Sequence, residues 1–345
     1  MLAMPPLDPR SLAMPARRST RIHTLIIAVL IAGVASVPPS RAAYPEKPIR
    51  LIIPFASGAS ADAYARIAAA KLTERLGQPV LVEARPGANG IIATDLVAKA
   101  APDGYTLLIV NSSHSINQAV YHKLPFDAVR DFVPIALVAV PVSMMLVAHP
   151  SLAANNSKEL IALARQKPDQ VAFGSAGIGN VLHLAGALFN VMADVRLLHV
   201  PYKGAAPALN DLLAGQIHLM WNGSGLVLPH VRAGKLKPIA AAGLKRSADF
   251  PDVPTIAESV PGYNVSSWFG ILAPAATPAE IVRRLRAETH RGLAQPDVRD
   301  RLAQLGADPP NMTPEEFAMF VKVDAEESAK LVKKLGLGLE APPLR

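Results

Sequence analysis

Short apolar runs alternate with helix-length segments from residue 49 onward, and this alternation constrains the fold more than any other feature. The first three runs lie at 51–53, 79–83 and 105–110, with helical stretches at 61–76 and 90–100 between them. Continuous apolar runs of this length are typical of strands that are buried on both faces of a sheet. Strands that alternate with helices predict right-handed βαβ units and a parallel sheet, and therefore an α/β fold.

The same alternation begins again after Asp127. Predicted strands and helices follow one another there, at 142–147, 157–166, 171–173, 181–192, 197–200, 206–214, 217–221 and 236–244. We therefore expect two α/β lobes, because each set of strands needs its own covering helices. Lobe 2 is expected to comprise residues 142–247, and lobe 1 residues 43–141 together with 248–345.

The end of the chain differs from both sets. A proline-rich linker at 250–263 precedes a predicted strand at 267–272, and everything beyond Thr277 is predicted to be helical. Thr277-Pro278 and Thr313-Pro314 mark helix starts, since proline is favoured in the first turn. We expect these C-terminal helices to return to lobe 1.

The first 42 residues have the pattern of a secretory signal peptide. Three arginines between residues 17 and 21 precede an apolar stretch at 25–34, which is shorter than the roughly 20 residues that a membrane-spanning helix needs. Small residues then predict cleavage near Ala42 or Ala43. We therefore expect a periplasmic protein, and an uncleaved anchor helix is the alternative.

Composition excludes several functional classes. The chain has no cysteine, which removes disulfides, cysteine metal sites and thiol catalysis. Its formal net charge is +8, but residues 1–43 carry five arginines against one aspartate and so account for half of that charge. No block of basic residues with interleaved aromatic residues is present, so we expect no nucleic-acid partner.

Known catalytic, cofactor and metal motifs are missing from the sequence. Ser175 and Ser224 lie in segments similar to a hydrolase nucleophile elbow, but Phe173 and Asn222 stand where that motif needs glycine. The segment 177–182 has leucine in place of the third glycine of a dinucleotide-binding loop. No histidine is followed by glutamate, so the H-E-x-x-H zinc motif does not occur. We expect no catalytic residue, no cofactor and no metal site.

Four turns rich in glycine or serine directly follow predicted strands, at Ser57–Ser60, Asn111–Ser113, Ser175–Gly179 and Tyr202–Gly204. Ligands of open α/β sheets lie beyond the carboxyl ends of strands, so these turns can converge on one crevice. The helix after the first turn is expected to have Ser60 as its N-cap. Its free N–H groups and dipole favour a small anion. An ordinary strand-to-helix connection is the alternative for this turn.

A set of sequence motifs occurs in a recognisable order along the chain. The motifs are Pro54–Asp62, Glu83–Gly90, Ala101–Leu108, Ser175–Gly177 with His183–Gly186, His199–Gly204 and Trp268–Gly270. With them the chain resembles the Bug family, the TctC-like extracytoplasmic solute receptors of tripartite tricarboxylate transport systems. The resemblance extends from about Tyr44 to the C-terminal helices.

This resemblance implies a type II periplasmic-binding-protein fold, in which two α/β lobes joined by crossover strands close on a small carboxylate. It implies a receptor that captures a small organic carboxylate and presents it to the membrane subunits of a transporter. A sensor kinase is the alternative partner, and we expect a monomer. The family's carboxylate-binding loops correspond to residues 57–62 and 175–177, with 111–113 at the floor. The predicted ligand-binding residues are Phe55, Ser57, Gly58, Ala59, Ser60, Asp62, Asn111, Ser112, Ser113, Ser175, Ala176, Gly177, His183, Tyr202 and Asn222.

The chain departs from the family pattern at positions that bear on the ligand. Ala59 and Ala61 stand in a first loop that usually has more glycine and a threonine, so this chain has one hydroxyl fewer there. Asn222 stands where an aspartate is common, which removes a negative charge from the edge of the cleft. These departures leave open which carboxylate is bound.

Alternative roles remain for several of these residues. Asp62 either contacts the ligand or stabilises the amino terminus of its helix by its charge. His183 either faces the cleft or is satisfied by nearby backbone, and Lys203 is either a ligand contact or a solvated charge. For the whole protein, the alternatives are a hydrolase or isomerase that uses Ser175, His183 and Asp62, and a sensor input receptor without transport.

Overall fold

The computed structural model describes residues 44–55, 58, 60–141, 144–247 and 249–337. The expected signal peptide and its cleavage point therefore lie outside the described residues, as do Ser57 and Ala59 of the first turn.

The described residues form eleven strands and ten α-helices, together with short 3-10 helices at Ala88–Gly90 and Ile256–Glu258. The strands are β1 (Ile49–Ile53), β2 (Val80–Ala84), β3 (Thr106–Asn111), β4 (Phe132–Pro141), β5 (Met144–Ala148), β6 (Ala172–Ser175), β7 (Leu198–Pro201), β8 (Leu219–Gly223), β9 (Lys237–Ala241), β10 (Phe269–Pro274) and β11 (Ala307–Asp308). The helices are α1 (Ser60–Leu76), α2 (Ile91–Ala98), α3 (Ser113–Val120), α4 (Ser157–Gln166), α5 (Val181–Ala193), α6 (Ala205–Leu213), α7 (Ser224–Arg232), α8 (Ala279–Leu293), α9 (Pro296–Gln304) and α10 (Pro314–Lys334).

These strands form two sheets, which confirms the α/β fold. The first sheet has the order β11-β4-β10-β3-β1-β2, and the second has the order β7-β6-β8-β5-β9. β1 lies inside the first sheet, where Leu51, Ile52 and Ile53 are completely buried. Helices α1 and α2 both pack against this strand, which explains the burial of these three apolar side chains. Helix α1 begins at Ser60, one residue earlier than predicted.

Both sheets are mixed, which corrects the prediction of a parallel sheet. The βαβ units are parallel as expected, since β1 pairs with β2 and β3, and β6 pairs with β7 and β8. However, β10 runs antiparallel to β3 and β4, and β5 runs antiparallel to β8 and β9. Strand β5 is the first strand of the second sheet after the chain leaves β4 of the first sheet, and β10 is the first strand after the chain returns from β9 to the first sheet. No crossover helix on the same sheet precedes them, so βαβ geometry does not set their direction.

Several elements are missing from the sequence-based prediction. Strand β4 carries Pro134 and Pro141, and proline usually argues against a strand. The register with β10 shifts next to Pro134, so the sheet accommodates the missing N–H at an irregularity. Helix α3 is rich in serine and asparagine, which are poor helix formers, and helix α7 contains Pro229.

The C-terminal segment returns to the first sheet. Helix α10 packs against α3 and β4, and α8 packs against α1. The prediction that everything beyond Thr277 is helical is wrong at β11, which pairs with Val140 and Pro141. This pairing extends the first sheet at the end of β4, close to the point where the chain passes to the second sheet.

Candidate functional site

A cavity of about 620 Å³, its mouth included, lies between the two sheets, and we call it the intersheet cavity. Residues on the first-sheet side of its lining are Phe55, Ala61, Tyr64, Asn111, Pro141, Ser267 and Phe269. Residues on the second-sheet side are Met144, Ala176, Asn180, Val181, Leu182, Ala205, Asn222 and Gly223. None of these lining residues is charged. Besides the Tyr64 phenol, the polar side chains of the lining are the amides of Asn111, Asn180 and Asn222 and the hydroxyl of Ser267.

A second cavity adjoins the first and shares Phe55 and Ala176 with it. We call it the turn cavity, because it is lined by turns: Pro54, Phe55, Gly87, Ala88, Asn89, Gly90, Tyr121, Ala176, Gly177, Ile178, Tyr202, Lys203 and Gly204. Lys203 is the charged residue of this lining. The Tyr202 hydroxyl donates a hydrogen bond to Asp211 Oδ2 at 2.7 Å, so it is engaged within its own lobe of the chain.

Four helices begin at the intersheet cavity. Ala61, Val181, Ala205 and Gly223 belong to the starts of α1, α5, α6 and α7, and all four line the cavity. Helix starts carry N–H groups without intrahelical partners and the positive end of the helix dipole, so their convergence favours an anion.

These helix starts differ in how they are capped. In α5, Asn180 Oδ1 accepts from Leu182 N–H at 3.0 Å, and Ser113 Oγ accepts from Val181 N–H at 3.1 Å. Helices α6 and α7 instead follow Gly204 and Gly223, neither of which can supply a side-chain cap. Of the lining residue at the start of α7, the Gly223 N–H already donates to Asn222 Oδ1 at 2.8 Å. The remaining N–H groups in the first turns of α6 and α7 are therefore the expected donors of the cavity.

The predicted ligand-binding residues fall into three groups. Residues that line a cavity are Phe55, Asn111, Ala176, Gly177, Tyr202 and Asn222. Described residues that belong to neither lining are Gly58, Asp62, Ser112, Ser113, Ser175 and His183. Ser57 and Ala59 lie outside the described residues, and of Ser60 the backbone alone is described.

Asp62 is engaged at the start of α1. Its Oδ2 accepts from Gly58 N–H at 3.2 Å, and its carboxylate forms an ion pair with Arg66 at 3.0 Å. These contacts match the structural alternative considered for Asp62, in which its charge stabilises the helix amino terminus.

The serines of the predicted loops are likewise engaged within the protein. The fully buried Ser175 lies with its Oγ 2.6 Å from His199 Nε2, and the same hydroxyl donates to Gly177 O at 3.1 Å. Ser112 Oγ lies 3.0 Å from Ser267 Oγ. Hydroxyls held in this way stabilise the loops, and the neighbouring Ala176 lines the cavity in place of Ser175.

The catalytic alternative is not assembled in this arrangement. Ser175 contacts His199 and not His183, while His183 Nδ1 accepts from Gly179 N–H at 3.2 Å. Asp62 is engaged with Gly58 and Arg66. A nucleophile needs a base within hydrogen-bond reach and a third group that orients the base, and these three residues do not provide that chain.

His183 and His199 stack on each other, with ring centroids 4.0 Å apart. Burial lowers the pKa of His183 to about 4. Burial, and to a smaller extent the neighbouring His183, lowers the pKa of His199 to about 3. Both rings are therefore neutral at pH 7, and the loop from Ser175 to Gly179 rests on an uncharged histidine pair.

The histidine pair predicts a loss of stability in mild acid. An unfolded imidazole titrates near pH 6.5, so between about pH 6.5 and 4 the unfolded state binds more protons than the folded one. The free energy of unfolding should thus be undiminished above about pH 6.5 and fall below it, by at most about 1.4 kcal/mol per pH unit for each histidine. Urea unfolding from about pH 7 to about pH 5 measures this slope.

The double variant His183→Gln, His199→Gln should have a shallower slope than the wild-type protein. Some slope should remain, because burial also lowers the pKa of His114 to about 4. The exposed His122→Gln variant is the control and should retain the wild-type slope. An unchanged slope in the double variant would contradict this account.

Polar side chains connect the first-sheet side to the start of α5. Asn180 Nδ2 donates to Ser113 Oγ at 2.9 Å and to Asn89 Oδ1 at 3.1 Å. Tyr121 adds a hydrogen bond from its hydroxyl to Ile178 O at 2.9 Å. We call these contacts the intersheet hydrogen bonds. They hold the two sides of the cavity together.

Sequence reasoning missed some residues of the intersheet cavity, chiefly Tyr64, Asn180, Ser267 and Phe269. Asn180 had a usable signal, since it follows a glycine-rich turn and stands at the N-cap of a predicted helix. Tyr64 lies one turn after Ala61 on the same face of α1, so helical spacing also pointed to it. Phe269 belongs to the motif Trp268–Gly270, but no local spacing pointed to its place in the cavity, which it reaches from a distant strand.

Membrane-spanning and metal-binding features are not seen in the part of the chain that the structure describes. Each of its helices is too short or too polar to cross a bilayer. Among the same residues, no group of three or more histidine, aspartate or glutamate side chains could hold a metal ion.

The chain is similar to known proteins over most of its length. The family model described as tripartite tricarboxylate transporter family receptor matches residues 64–337. Protein BugT of Bordetella pertussis is 36% identical over 325 residues, which cover 93% of this chain and 99% of that protein.

The chain is also similar to solved structures over most of its length. An R. palustris protein with adipate has a TM-score of 0.81 at 35% identity, and the match covers 86% of this chain and 100% of that one. MatC from Rhodopseudomonas palustris with bound malate has a TM-score of 0.80 at 34% identity, with coverage of 84% and 100%.

Proposed function

The chain belongs to the tripartite tricarboxylate transporter receptor family, and from this premise we propose that it captures a small organic carboxylate in the intersheet cavity. The resemblance to the Bug family is thereby confirmed. The protein is a solute-binding receptor and not an enzyme.

One observation carries the proposed site: four helices begin at a cavity whose lining, as far as the structure describes it, has no charged side chain. The starts of α6 and α7, which have no side-chain cap, offer backbone N–H donors. The Asn222 amide lies next to the start of α7, and the Asn111 amide belongs to the first-sheet side of the lining. Such donors bind a carboxylate with charge-assisted hydrogen bonds and without an arginine. The adipate and malate named for two similar structures support a carboxylate as the ligand.

The proposed lobes are residues 43–141 with 248–345, and residues 142–247. This division is supported by the sheets, because β5 to β9 all fall within the second range and the other strands within the first. Closure of the two lobes on a ligand would bring the helix starts of lobe 2 against the wall formed by lobe 1.

The proposed location is the periplasm, after cleavage near Ala42 or Ala43. The arginines and the apolar stretch of the first 42 residues support export, and so does the receptor family. The proposed partners are the membrane subunits of a tripartite tricarboxylate transporter, with a sensor kinase as the alternative. The receptor is proposed to act as a monomer.

A thermal-shift screen tests the proposed ligand class. An acid present at about 100 times its dissociation constant should raise the free energy of unfolding by about 2.7 kcal/mol. Acetate, hexanoate, benzoate, adipate and malate form the panel, and hexylamine is the control because the cavity favours an anion. If the melting temperature responds to none of the acids, the proposed function is wrong.

A further inference from the structure

The turn cavity lies beside the proposed carboxylate site, and the motifs Glu83–Gly90 and His199–Gly204 both contribute to its lining. We propose that the turn cavity is the entry site of the receptor, where Lys203 attracts an incoming carboxylate before the carboxylate passes to the intersheet cavity. This inference rests on the proposed function and adds a first step to the capture of the same class of ligand.

The two cavities are connected. Phe55 and Ala176 belong to both linings, so a solute in the turn cavity is next to the intersheet cavity. The turn cavity has a volume of about 620 Å³ with its mouth included, which is enough for a small organic acid. Its walls come from both proposed lobes, with Gly87–Gly90 on one side and Tyr202–Gly204 on the other. It opens to solvent at Ile178, which is exposed.

The uncharged polar side chains of the turn cavity already have partners in the protein. The Asn89 amide is hydrogen-bonded to two other asparagine side chains. The Tyr121 hydroxyl donates to Ile178 O at 2.9 Å, and the Tyr202 hydroxyl donates to Asp211 Oδ2 at 2.7 Å. A carboxylate in this cavity would have to compete with these bonds.

Glycine N–H groups of the same lining are engaged as well. Gly90 N–H donates to Gly87 O at 2.9 Å, and Gly177 N–H donates to Ser175 Oγ at 3.2 Å. The intersheet cavity differs in this respect, because helix starts without side-chain caps reach it. A carboxylate should therefore stay briefly in the turn cavity and be held in the intersheet cavity.

Lys203 is the charged residue of the turn cavity, and it is exposed to solvent. Its side chain forms no hydrogen bond or ion pair within the described part of the chain. On the opposite side, the charged residues that precede Gly87 are Glu83 and Arg85, and these pair with each other at 3.2 Å. The charge of Lys203 is therefore available to an anion that approaches the mouth.

Attraction by one exposed cation acts mainly on the rate of association. A unit charge about 6 Å from a monoanion in water raises the local concentration of the anion about 3-fold. Salt screens this attraction over about 30 Å at 0.01 M and about 3 Å at 1 M. The lining of the intersheet cavity, as far as the structure describes it, supplies no charge of its own.

Charge variants of Lys203 in the full mature protein test the entry site. At about 0.01 M salt, Lys203→Gln should lower the association rate constant about 3-fold, and Lys203→Glu about 9-fold, because the second substitution reverses the charge. Lys203→Arg keeps the charge and should stay within about 1.5-fold of wild type. All dissociation rate constants should also stay within about 1.5-fold, because the acid is then held in the intersheet cavity.

Salt and a second lysine provide the controls. At about 1 M salt the association rate constants of all variants should lie within about 1.5-fold of wild type. Lys235→Gln and Lys235→Glu change the net charge by the same amounts, and Lys235 is exposed and belongs to neither cavity lining. Their rate constants should stay within about 1.5-fold of wild type at low salt as well.

The probe is the acid that gives the largest thermal shift among acetate, hexanoate, benzoate, adipate and malate. Stopped-flow tryptophan fluorescence gives the association rate constant, because Trp268 stands between the lining residues Ser267 and Phe269. Isothermal titration gives the dissociation constant. The product of the two constants is the dissociation rate constant.

The outcomes separate this inference from the proposed function. Equal association rate constants in the Lys203 and Lys235 variants would overturn the entry site and leave the receptor function intact. An effect of Lys203→Gln on the dissociation rate constant alone would also overturn it, because Lys203 would then contact the bound acid. If none of the five acids binds the wild-type protein, the proposed function fails, and the entry site fails with it.

Discussion

Replacing Gly225 by alanine is expected to lower the free energy of unfolding by about 3 kcal/mol, at the upper end of the usual cost of overpacking. Gly225 lies in the first turn of α7, and a Cβ atom at this position would overlap the backbone carbonyl group of Leu305. Backbone cannot rotate away as a flexible side chain can. The α7 helix would therefore have to move away from the segment between α9 and β11.

Gly306 shows the same close approach from the other side. It has a φ of 65°, and a Cβ atom there would lie 2.8 Å from Gly225 N. The two glycines thus let the start of α7 rest on the first-sheet side of the chain. Because Gly223 lines the intersheet cavity, the Gly225→Ala variant should also bind acids more weakly than the wild-type protein.

Urea unfolding measures the predicted loss of stability. Gly243→Ala is the matched control, because nothing lies within 4 Å of the Cβ atom that this substitution would add. Its free energy of unfolding should change by less than about 0.5 kcal/mol. Equal stability of the Gly225→Ala and Gly243→Ala variants would show that the two backbones do not meet in solution as they do in the structure.

The second large effect is expected from Asn180→Asp, which should weaken acid binding at least 100-fold, or by about 2.7 kcal/mol. Aspartate keeps the oxygen that caps Leu182 N–H, so the start of α5 is preserved. It cannot donate, however, so the hydrogen bonds to Asn89 and Ser113 are lost. It also places a negative charge in the lining of a cavity proposed to bind an anion.

Isothermal titration with the acid that gives the largest thermal shift measures this effect, and circular dichroism checks that the variant is folded. Asn156→Asp is the control, since Asn156 caps α4 in the same way, accepting from Glu159 N–H at 3.0 Å, and belongs to neither cavity lining. Its affinity should stay within about 2-fold of wild type. Wild-type affinity in Asn180→Asp would exclude the intersheet cavity as the binding site.

Local sequence patterns predicted most of the secondary structure because local physics decides it. Helix α4 has the predicted bounds, and it begins at an asparagine N-cap followed by Glu159 in its first turn. Strands β1 and β6 were found from their apolar runs. Strand β4 was missed because its prolines are tolerated through pairing with β10, a strand more than 120 residues further along the chain.

The candidate site was predicted as a set of loops. The described turns after β3, β6 and β7 reach the two adjoining cavities, but many of the chosen side chains line neither cavity. Ser113 and Ser175 have the hydroxyl groups that a carboxylate would need, so their residue type suggested ligand contact. In the structure Ser113 caps α5 and Ser175 contacts His199. A hydroxyl can serve a ligand or the protein, and residue type does not distinguish these uses.

By itself, the sequence determined the α/β character of the protein, the order of its units and the turns that follow its buried strands. These features depend on the spacing of apolar residues and on turn chemistry within about 20 residues. Only the tertiary structure decided which side chains form the cavity, because Tyr64 meets Phe269 and Ser175 meets His199 through packing between distant segments. The approach of the two sheets also brought the aromatic rings of Phe55, Tyr64 and Phe269 and the starts of four helices to the same cavity.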